Sequence, residues 1–128
     1  MAQRYLLDTN IVIGYLRKEL PDTGMTYVSN IVDKIPNISA ISKIEILRFN
    51  TTPENYRVLA DFVAEAAIYS VSDAIVDITV VLCRKNKIKV PDAIIAATCL
   101  VEQMILLTRN TADFKNIPEL HIENPWKV

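Results

Sequence analysis

Two spacings of apolar residues alternate along this chain. Runs of three or four mostly apolar residues are too short for buried helices, and they predict strands. These runs lie at 4–7, 38–40, 67–70, 104–107 and 120–123. Between the runs, apolar residues recur every three or four positions, which is typical of helices with one buried face. The predicted helices begin near Ile11 and otherwise span 25–35, 43–50, 54–66, 72–86 and 91–101.

This order of strands and helices predicts an α/β fold. Repeated alternation implies parallel strands, with helices covering both faces of the sheet. Predicted loops at 18–24 and 51–54 separate helices, and Pro91 stands at the favoured first position of the last one. No linker, repeat or low-complexity segment interrupts the pattern. We therefore expect a single domain over residues 1–128.

The composition is that of a globular domain. Hydrophobic residues make up 51% of the chain and charged residues 23%, and no apolar stretch approaches the roughly 18 residues that span a membrane. The chain shows no secretory signal, so we expect a cytoplasmic protein. The net charge of −1 gives no general attraction to nucleic acid, so such binding needs a local patch or metal-mediated contact.

Several chemistries are excluded by residues that the sequence lacks. With only 2 glycines, it contains neither a Walker A loop nor a dinucleotide-binding fingerprint, which both need glycine where the backbone approaches phosphate. His121 is the only histidine, which excludes an HExxH zinc site and disfavours a serine or cysteine triad, so we interpret it as structural. Cys83 and Cys99 are isolated, and we expect both to be reduced core residues.

Four acidic residues stand near predicted strand ends or helix starts. Asp8, Glu45 and Asp113 each follow a strand, and Asp92 comes directly after Pro91. The carboxyl ends of parallel strands lie at one edge of a sheet, where open α/β folds place ligands. We therefore predict that the four carboxylates converge on one edge.

Each acid also has a simpler interpretation. In the simpler interpretation of Asp8, its sole role is to cap the helix that follows it. Ser42 and Glu45 have the spacing of a capping box, which predicts Ser42 at the start of its helix. Asp92 and Asp113 occupy predicted first helical turns, where the helix dipole favours negative charge whatever the function.

Convergent carboxylates repel one another, and either raised pKa values or bound cations relieve that repulsion. Oxygen ligands without histidine or cysteine favour Mg²⁺ or Mn²⁺ over zinc or copper. Such ions activate water and stabilise the charge of a phosphodiester transition state. The pattern therefore favours a metal-dependent nuclease.

Four segments resemble the successive motifs of the PIN-domain family. They are Leu6-Leu7-Asp8-Thr9-Asn10, Ser42-Lys43-Ile44-Glu45-Ile46-Leu47, Pro91-Asp92-Ala93-Ile94-Ile95-Ala96-Ala97-Thr98 and Thr108-Arg109-Asn110-Thr111-Ala112-Asp113-Phe114. Their order and spacing are similar to those of the small VapC-type toxins of bacterial toxin–antitoxin pairs. Together the segments extend the resemblance over essentially the whole chain.

The resemblance implies a three-layer α/β/α fold with a mainly parallel five-stranded sheet. It also implies an endoribonuclease that depends on Mg²⁺ or Mn²⁺ and hydrolyses phosphodiester bonds of RNA. Homodimers, and inhibition by a cognate VapB-like antitoxin, are implied as well.

The same resemblance assigns roles to the acids. Asp8 and Asp92 would be the principal metal ligands, and Glu45 would reach a metal directly or through water and help to activate the attacking water. Asp113 would be the fourth acid, although members of the family differ in whether the position of Asn110 or that of Asp113 carries the carboxylate.

Neighbouring polar residues would support these acids. Thr9, Thr108 and Asn10 resemble side chains that hydrogen-bond the carboxylates or metal-bound water. We favour local capping by these three residues over direct metal contact.

Candidate residues for binding RNA phosphates are less specific. Four positive charges precede Asp92, namely Arg84, Lys85, Lys87 and Lys89. Basic residues at a helix C-terminus are also what the dipole favours, and this is the interpretation we prefer. Arg109 and Lys115 beside the last motif are comparable candidates.

Three other classes share part of this pattern. A haloacid-dehalogenase-type phosphatase needs a second acid two residues after Asp8, where this chain has Asn10. A response-regulator receiver needs an aspartate after the third strand, and residues 68–71 contain none. A PIN fold retained as a non-catalytic RNA-binding or assembly module stays open, and a metal-dependent cleavage assay separates it from an enzyme.

Overall fold

The computed structural model describes residues 3–128, which form one parallel five-stranded sheet flanked by helices. The strands are β1 (Tyr5–Leu7), β2 (Asn37–Ser39), β3 (Ala67–Tyr69), β4 (Ile105–Leu107) and β5 (Ile122–Glu123). The helices are α1 (Thr9–Leu16), α2 (Asp22–Val32), α3 (Ala40–Leu47), α4 (Pro53–Glu65), α5 (Asp73–Lys85) and α6 (Val90–Glu102). Single turns of 3-10 helix follow at Thr111–Phe114 and Pro125–Lys127.

The strand order is β3-β2-β1-β4-β5, which places the first strand at the centre. All four strand pairs are parallel. The predicted α/β fold with a parallel five-stranded sheet is therefore confirmed. Because the strands run the same way, the residues that follow β1 and β4 emerge side by side.

Successive residues of β1 divide the core into two halves. Leu6 packs on one face with Ile75 of α5 and Ala96 of α6. Leu7 packs on the opposite face with Ile11 of α1 and Val28 of α2. Each of these side chains is buried, as expected for a strand covered on both faces. The arrangement is a three-layer α/β/α sandwich.

Two helices begin where the sequence indicates. Ser72 caps α5 by accepting a hydrogen bond from the backbone N–H of Ile75, and Thr52 caps α4 in the same way through Asn55. A side-chain oxygen at this position satisfies a backbone donor that the first turn leaves unpaired. In the described residues 3–128, no helix has the length and apolar character needed to cross a membrane.

Helix α2 begins at Asp22, three residues before the predicted start at Met25, and ends at Val32. Residues 22–24 of the predicted loop at 18–24 therefore belong to the helix. Asp22 and Gly24 are common in turns, which favoured the loop. In the fold, Gly24 is buried against the backbone of Pro125, and this tertiary packing outweighs its low helix propensity.

The predicted capping box at Ser42 and Glu45 is wrong. Helix α3 begins at Ala40, and its cap is Ser39, whose hydroxyl accepts a hydrogen bond from the backbone N–H of Ile41. Ser42 is the third residue of the helix, and its buried hydroxyl has no hydrogen-bond partner among residues 3–128. Glu45 consequently lies in the second half of α3, away from the helix start.

Both cysteines are free thiols. Cys99 is buried in the core, and Cys83 packs against the edge of the same cluster. Burial raises the pKa of the Cys99 thiol, so this residue stays protonated. These positions agree with the prediction of reduced core cysteines.

Candidate active site

Asp8 lies at the carboxyl end of β1 and is 6% exposed. One oxygen, Oδ1, accepts a hydrogen bond of 2.8 Å from the backbone N–H of Thr9, so Asp8 does cap α1. The other oxygen, Oδ2, accepts hydrogen bonds from the Asn10 amide at 3.1 Å and the Thr108 hydroxyl at 2.8 Å. Asp8 therefore both caps α1 and belongs to a polar cluster at the end of β1.

The loop after β4 is tied to Asp8 through the same polar side chains. The Thr108 oxygen also accepts a hydrogen bond from the backbone N–H of Asn110 at 3.1 Å. Asn10 uses its own oxygen to accept from the backbone N–H of Arg109, also at 3.1 Å. These contacts fix the two adjacent strand ends relative to each other, so Thr108 and Asn10 orient the Asp8 carboxylate.

Glu45 reaches this cluster from α3. Its Oε1 accepts a hydrogen bond of 2.6 Å from the hydroxyl of Thr9. Hydrogen bonds to ionised acceptors are short and strong, and this one holds the half-buried Glu45 carboxylate beside the end of β1.

Asp92 occupies the first turn of α6, next to Pro91, and is half-buried. Its carboxylate forms no hydrogen bond or ion pair with other residues of the described range 3–128. Burial raises its pKa, and the negative charges of Asp8, Asp113 and Glu45 raise it further, while Lys89 acts in the opposite direction.

The Asp8 pKa is also raised, first by burial and then by the charge of Glu45. Hydrogen bonds from Thr108, Thr9 and Asn10 offset part of this effect. Two neighbouring carboxylates that resist ionisation form a site that a cation would stabilise.

A cleft of about 600 Å³ connects three of the four predicted acids. Its walls contain Asp8, Glu45 and Asp92, with Thr9, Asn10 and Asn110 among their neighbours. The fourth acid, Asp113, is exposed on the 3-10 turn after β4 and is absent from these walls. It nevertheless lies near enough to raise the pKa of Asp92, so it stands on the rim of the site.

Four further wall residues were not singled out from the sequence: Ile13, Arg48, Phe49 and Asn50. Arg48 is the C-cap of α3 and follows Glu45 by three residues, which places both on the same side of the helix end. The three-residue spacing could have indicated Arg48 as a neighbour of Glu45. The predicted helix at 43–50 gave no information on which side of α3 faces the site.

The basic residues that were candidates for binding phosphate lie in different surroundings. Arg84 and Lys85 are exposed in the last turn of α5, where the helix dipole favours them. Lys89 comes directly before α6 and is close enough to lower the pKa of Asp92. Arg109 stacks on the ring of Trp126, with its guanidinium carbon 4.5 Å from the ring centre.

The donor set of the cleft fits a hard divalent cation. Carboxylate oxygens are available from several elements, and the Asp92 carboxylate in particular is unpaired within residues 3–128. Among residues 3–128, no three Asp, Glu, His or Cys side chains are close enough to hold one ion by themselves. Mg²⁺ commonly binds through one or two carboxylates and keeps several waters, so it does not need a third protein carboxylate.

A three-layer α/β/α domain with an acid-lined cleft at the carboxyl edge of its sheet defines a structural class, and the comparisons with known proteins agree with it. The family model described as PIN domain matches residues 5–120. The chain belongs to the PIN-domain family. No curated protein sequence matches it significantly.

Solved structures with the same fold cover nearly the whole chain. A toxin–antitoxin complex from Klebsiella pneumoniae is 27% identical, with a TM-score of 0.78 over 97% of this chain and 99% of the other. VapBC2 from Rickettsia felis, bound to a promoter DNA fragment, is 24% identical, with a TM-score of 0.78 over 95% and 98%. VapBC-1 from nontypeable Haemophilus influenzae is 23% identical, with a TM-score of 0.79 over 98% and 100%.

Proposed function

We propose that this chain is a metal-dependent endoribonuclease that acts as a VapC-like toxin. The observation that carries the proposal is the cleft in which Asp8, Glu45 and Asp92 meet although they come from different elements. The raised pKa values of Asp8 and Asp92 support it, because burial and neighbouring negative charges disfavour the ionised carboxylates, which a cation would stabilise. Membership of the PIN-domain family supports the same chemistry.

Asp8 and Asp92 are the residues that would hold Mg²⁺ or Mn²⁺, with Glu45 beside them. A bound ion supplies Lewis acidity and neutralises charge on the phosphodiester. Thr108, Asn10 and the Thr9 backbone orient Asp8. Glu45 has one oxygen engaged by the Thr9 hydroxyl, which leaves Oε2 to accept a proton from the attacking water.

The role of the fourth acid is secondary in this proposal. Asp113 adds negative charge at the rim and acts mainly on Asp92, whereas Asn110 lines the cleft itself. Asn110 offers an amide that could contact substrate or water there.

A cognate VapB-like antitoxin is the proposed inhibitor, and a homodimer is the proposed assembly. The similarity to a toxin–antitoxin complex over almost the whole chain supports the first of these. Light scattering of the purified protein tests the second.

The deciding experiment measures cleavage of single-stranded RNA by purified protein with Mg²⁺, with Mn²⁺ and with chelator. We expect cleavage only with metal, and growth arrest when the protein is expressed without its partner. Asp92→Asn keeps the side-chain size but removes a charge, so it should abolish both effects while the fold persists. Equal RNA degradation by both proteins would identify a contaminating nuclease and favour a non-catalytic module.

A further inference from the structure

A second groove lies beside the acid-lined cleft, at the connection between α3 and α4. It has a volume of about 760 Å³. Arg48, Phe49 and Asn50 belong to the walls of both the cleft and the groove. Beyond them the groove continues past Tyr56 and Arg57 on α4. The two depressions are therefore adjacent and share part of their walls.

The groove is positively charged, in contrast to the cleft that it joins. Its walls contain Arg48 and Arg57 and no acidic residue. Both arginines are exposed, and neither guanidinium group forms an ion pair or hydrogen bond with residues in the described part of the chain. Arginine suits phosphate because its planar group donates several hydrogen bonds in a fixed geometry.

Two aromatic residues, Phe49 and Tyr56, line the same groove. Phe49 is 37% exposed and Tyr56 is 41% exposed, which is high for side chains of this size. Exposed aromatic faces bind unpaired bases by stacking, and a basic groove with such rings is typical of proteins that bind single strands. The rival basic segment at 84–89 contains no aromatic residue.

We infer that Arg48, Phe49, Tyr56 and Arg57 form an Arg–aromatic track that binds the single-stranded RNA next to the phosphate placed in the cleft. This inference rests on the proposed function and specifies how that function selects unpaired RNA. The arginines contact backbone phosphates, and the rings stack on bases. Duplex RNA is a poor ligand because its bases are already stacked within the helix.

Binding is tested in the Asp92→Asn background, so that cleavage does not consume the ligand. The probe is a labelled single-stranded RNA of about ten nucleotides, within the range that such grooves cover. The double variant Phe49→Leu with Tyr56→Leu keeps apolar bulk but loses both rings, and we expect at least about fivefold weaker binding. Arg57→Gln should reduce the salt dependence, lowering the slope of log K against log salt by about 0.7.

Arg84→Gln is the matched control, because it removes an exposed charge from the rival basic segment. We expect it to leave RNA affinity and salt dependence unchanged. Thermal unfolding of each variant checks that the fold is intact. If Arg84→Gln weakens binding and the track variants do not, RNA crosses residues 84–89 and the inference is overturned.

A second measurement separates this inference from the proposed function. In the active chain, the double variant Tyr56→Leu with Arg57→Gln changes only residues outside the cleft walls. It should lose cleavage of the ten-nucleotide RNA but keep cleavage of a dinucleotide confined to the cleft. Cleavage by wild type with no difference in this double variant overturns the track alone. RNA binding through the track without cleavage in any metal overturns the proposed function alone.

A protein partner is the other occupant that this test can identify. If the track variants keep full RNA affinity but escape inhibition by a co-expressed partner, the groove binds that partner. That result also overturns the inference.

Discussion

Thr108 and Asp8 are 100 residues apart in sequence and are joined by a hydrogen bond of 2.8 Å. Thr108 is fully buried, so its hydroxyl has no access to solvent. The hydroxyl donates its hydrogen to the Asp8 carboxylate and accepts a hydrogen bond from the backbone N–H of Asn110. It therefore acts as a fixed support for the acid at the centre of the site.

Thr108→Val keeps the shape of this side chain but removes the hydrogen bonds. The Thr108 hydroxyl lowers the Asp8 pKa, so its loss should raise that pKa further. We expect the acid limb of the pH–activity profile to move to higher pH. Leaving buried partners unsatisfied should also cost about 1–3 kcal/mol in the free energy of unfolding. Thr108→Ser retains the hydroxyl and should leave the pH profile in place, and an unchanged profile in Thr108→Val would contradict this role.

Burial of Asp8 and Asp92, together with repulsion among the acids, predicts an unusual pH dependence of stability without metal. The folded-state pKa values of Asp8 and Asp92 lie above their ordinary value of 3.8. Folded protein therefore binds these protons more tightly, so this pair contributes stability that is present at low pH and lost as pH rises through the raised values.

At neutral pH, Asp92→Asn should consequently unfold at a higher temperature than wild type in the absence of metal. The stability advantage of Asp92→Asn should shrink as pH falls through the raised pKa values toward 3.8, because the carboxylates of the folded wild type become protonated over this range. Urea unfolding across this range measures the difference. A constant difference at every pH would mean that ionisation of Asp92 is not its cause.

Bound metal should offset the loss of stability that ionisation of Asp8 and Asp92 causes. At about a hundred times its dissociation constant, Mg²⁺ or Mn²⁺ should stabilise wild type by about 2.7 kcal/mol. Asp92→Asn should show a much smaller response, because it lacks one ligand charge. Asp22→Asn is the matched control, since Asp22 is also in a first helical turn but outside the cleft.

The positions of Asp92 and Asp113 predict unequal contributions to catalysis. Asp92 lines the cleft, and Asp113 is exposed at its rim. We expect Asp92→Asn to lower kcat/KM for RNA by more than about a hundredfold and Asp113→Asn by about tenfold, a difference of roughly 1.4 kcal/mol in transition-state stabilisation. Equal losses would indicate that Asp113 enters the cleft in the working enzyme.

Gly14 on α1 is predicted to be intolerant of a side chain. A methyl group there would lie 2.7 Å from Cη2 of Trp126 and 3.1 Å from Cζ2. The neighbouring Pro125 already packs against Gly24, so the ring has little room to retreat. Gly14→Ala should therefore cost about 1–3 kcal/mol.

The cause of that loss can be checked by making the ring smaller. In the Gly14→Ala background, Trp126→Leu should recover stability relative to the value expected if both changes were additive. Denaturant unfolding of the two single variants and the double variant measures this coupling. Strict additivity would show that the ring and the methyl group do not collide.

Some features of this protein follow from local sequence, and others depend on distant contacts. β1 was predictable because four apolar-rich residues end abruptly at Asp8, and α5 because Ser72 precedes a clear helical repeat. The start of α3 was not, because Ser39 and Ser42 are both acceptable caps. Only the packing of the sheet decides between these two serines.

The site shows the same division. Parallel topology was enough to predict that Asp8, Glu45 and Asp92 face one edge. It could not place Asp113, because the 3-10 turn after β4 sets its direction without any periodic signal. The groove over the α3–α4 connection was also hidden, because exposure of Phe49 and Tyr56 depends on which helix faces pack inward.

The central position of β1 has a consequence for how the molecule is made. Tyr5 pairs with Ile105, so one edge of the first strand has no native neighbour until the last quarter of the chain has been synthesised. Ribosomes add roughly 5–20 residues per second, so Asp8 waits several seconds for the Thr108 hydroxyl. A nascent or truncated chain that stops before β4 therefore carries Asp8, Glu45 and Asp92 without the assembled cleft. The proposed nuclease activity can therefore arise only after translation of the chain is almost complete.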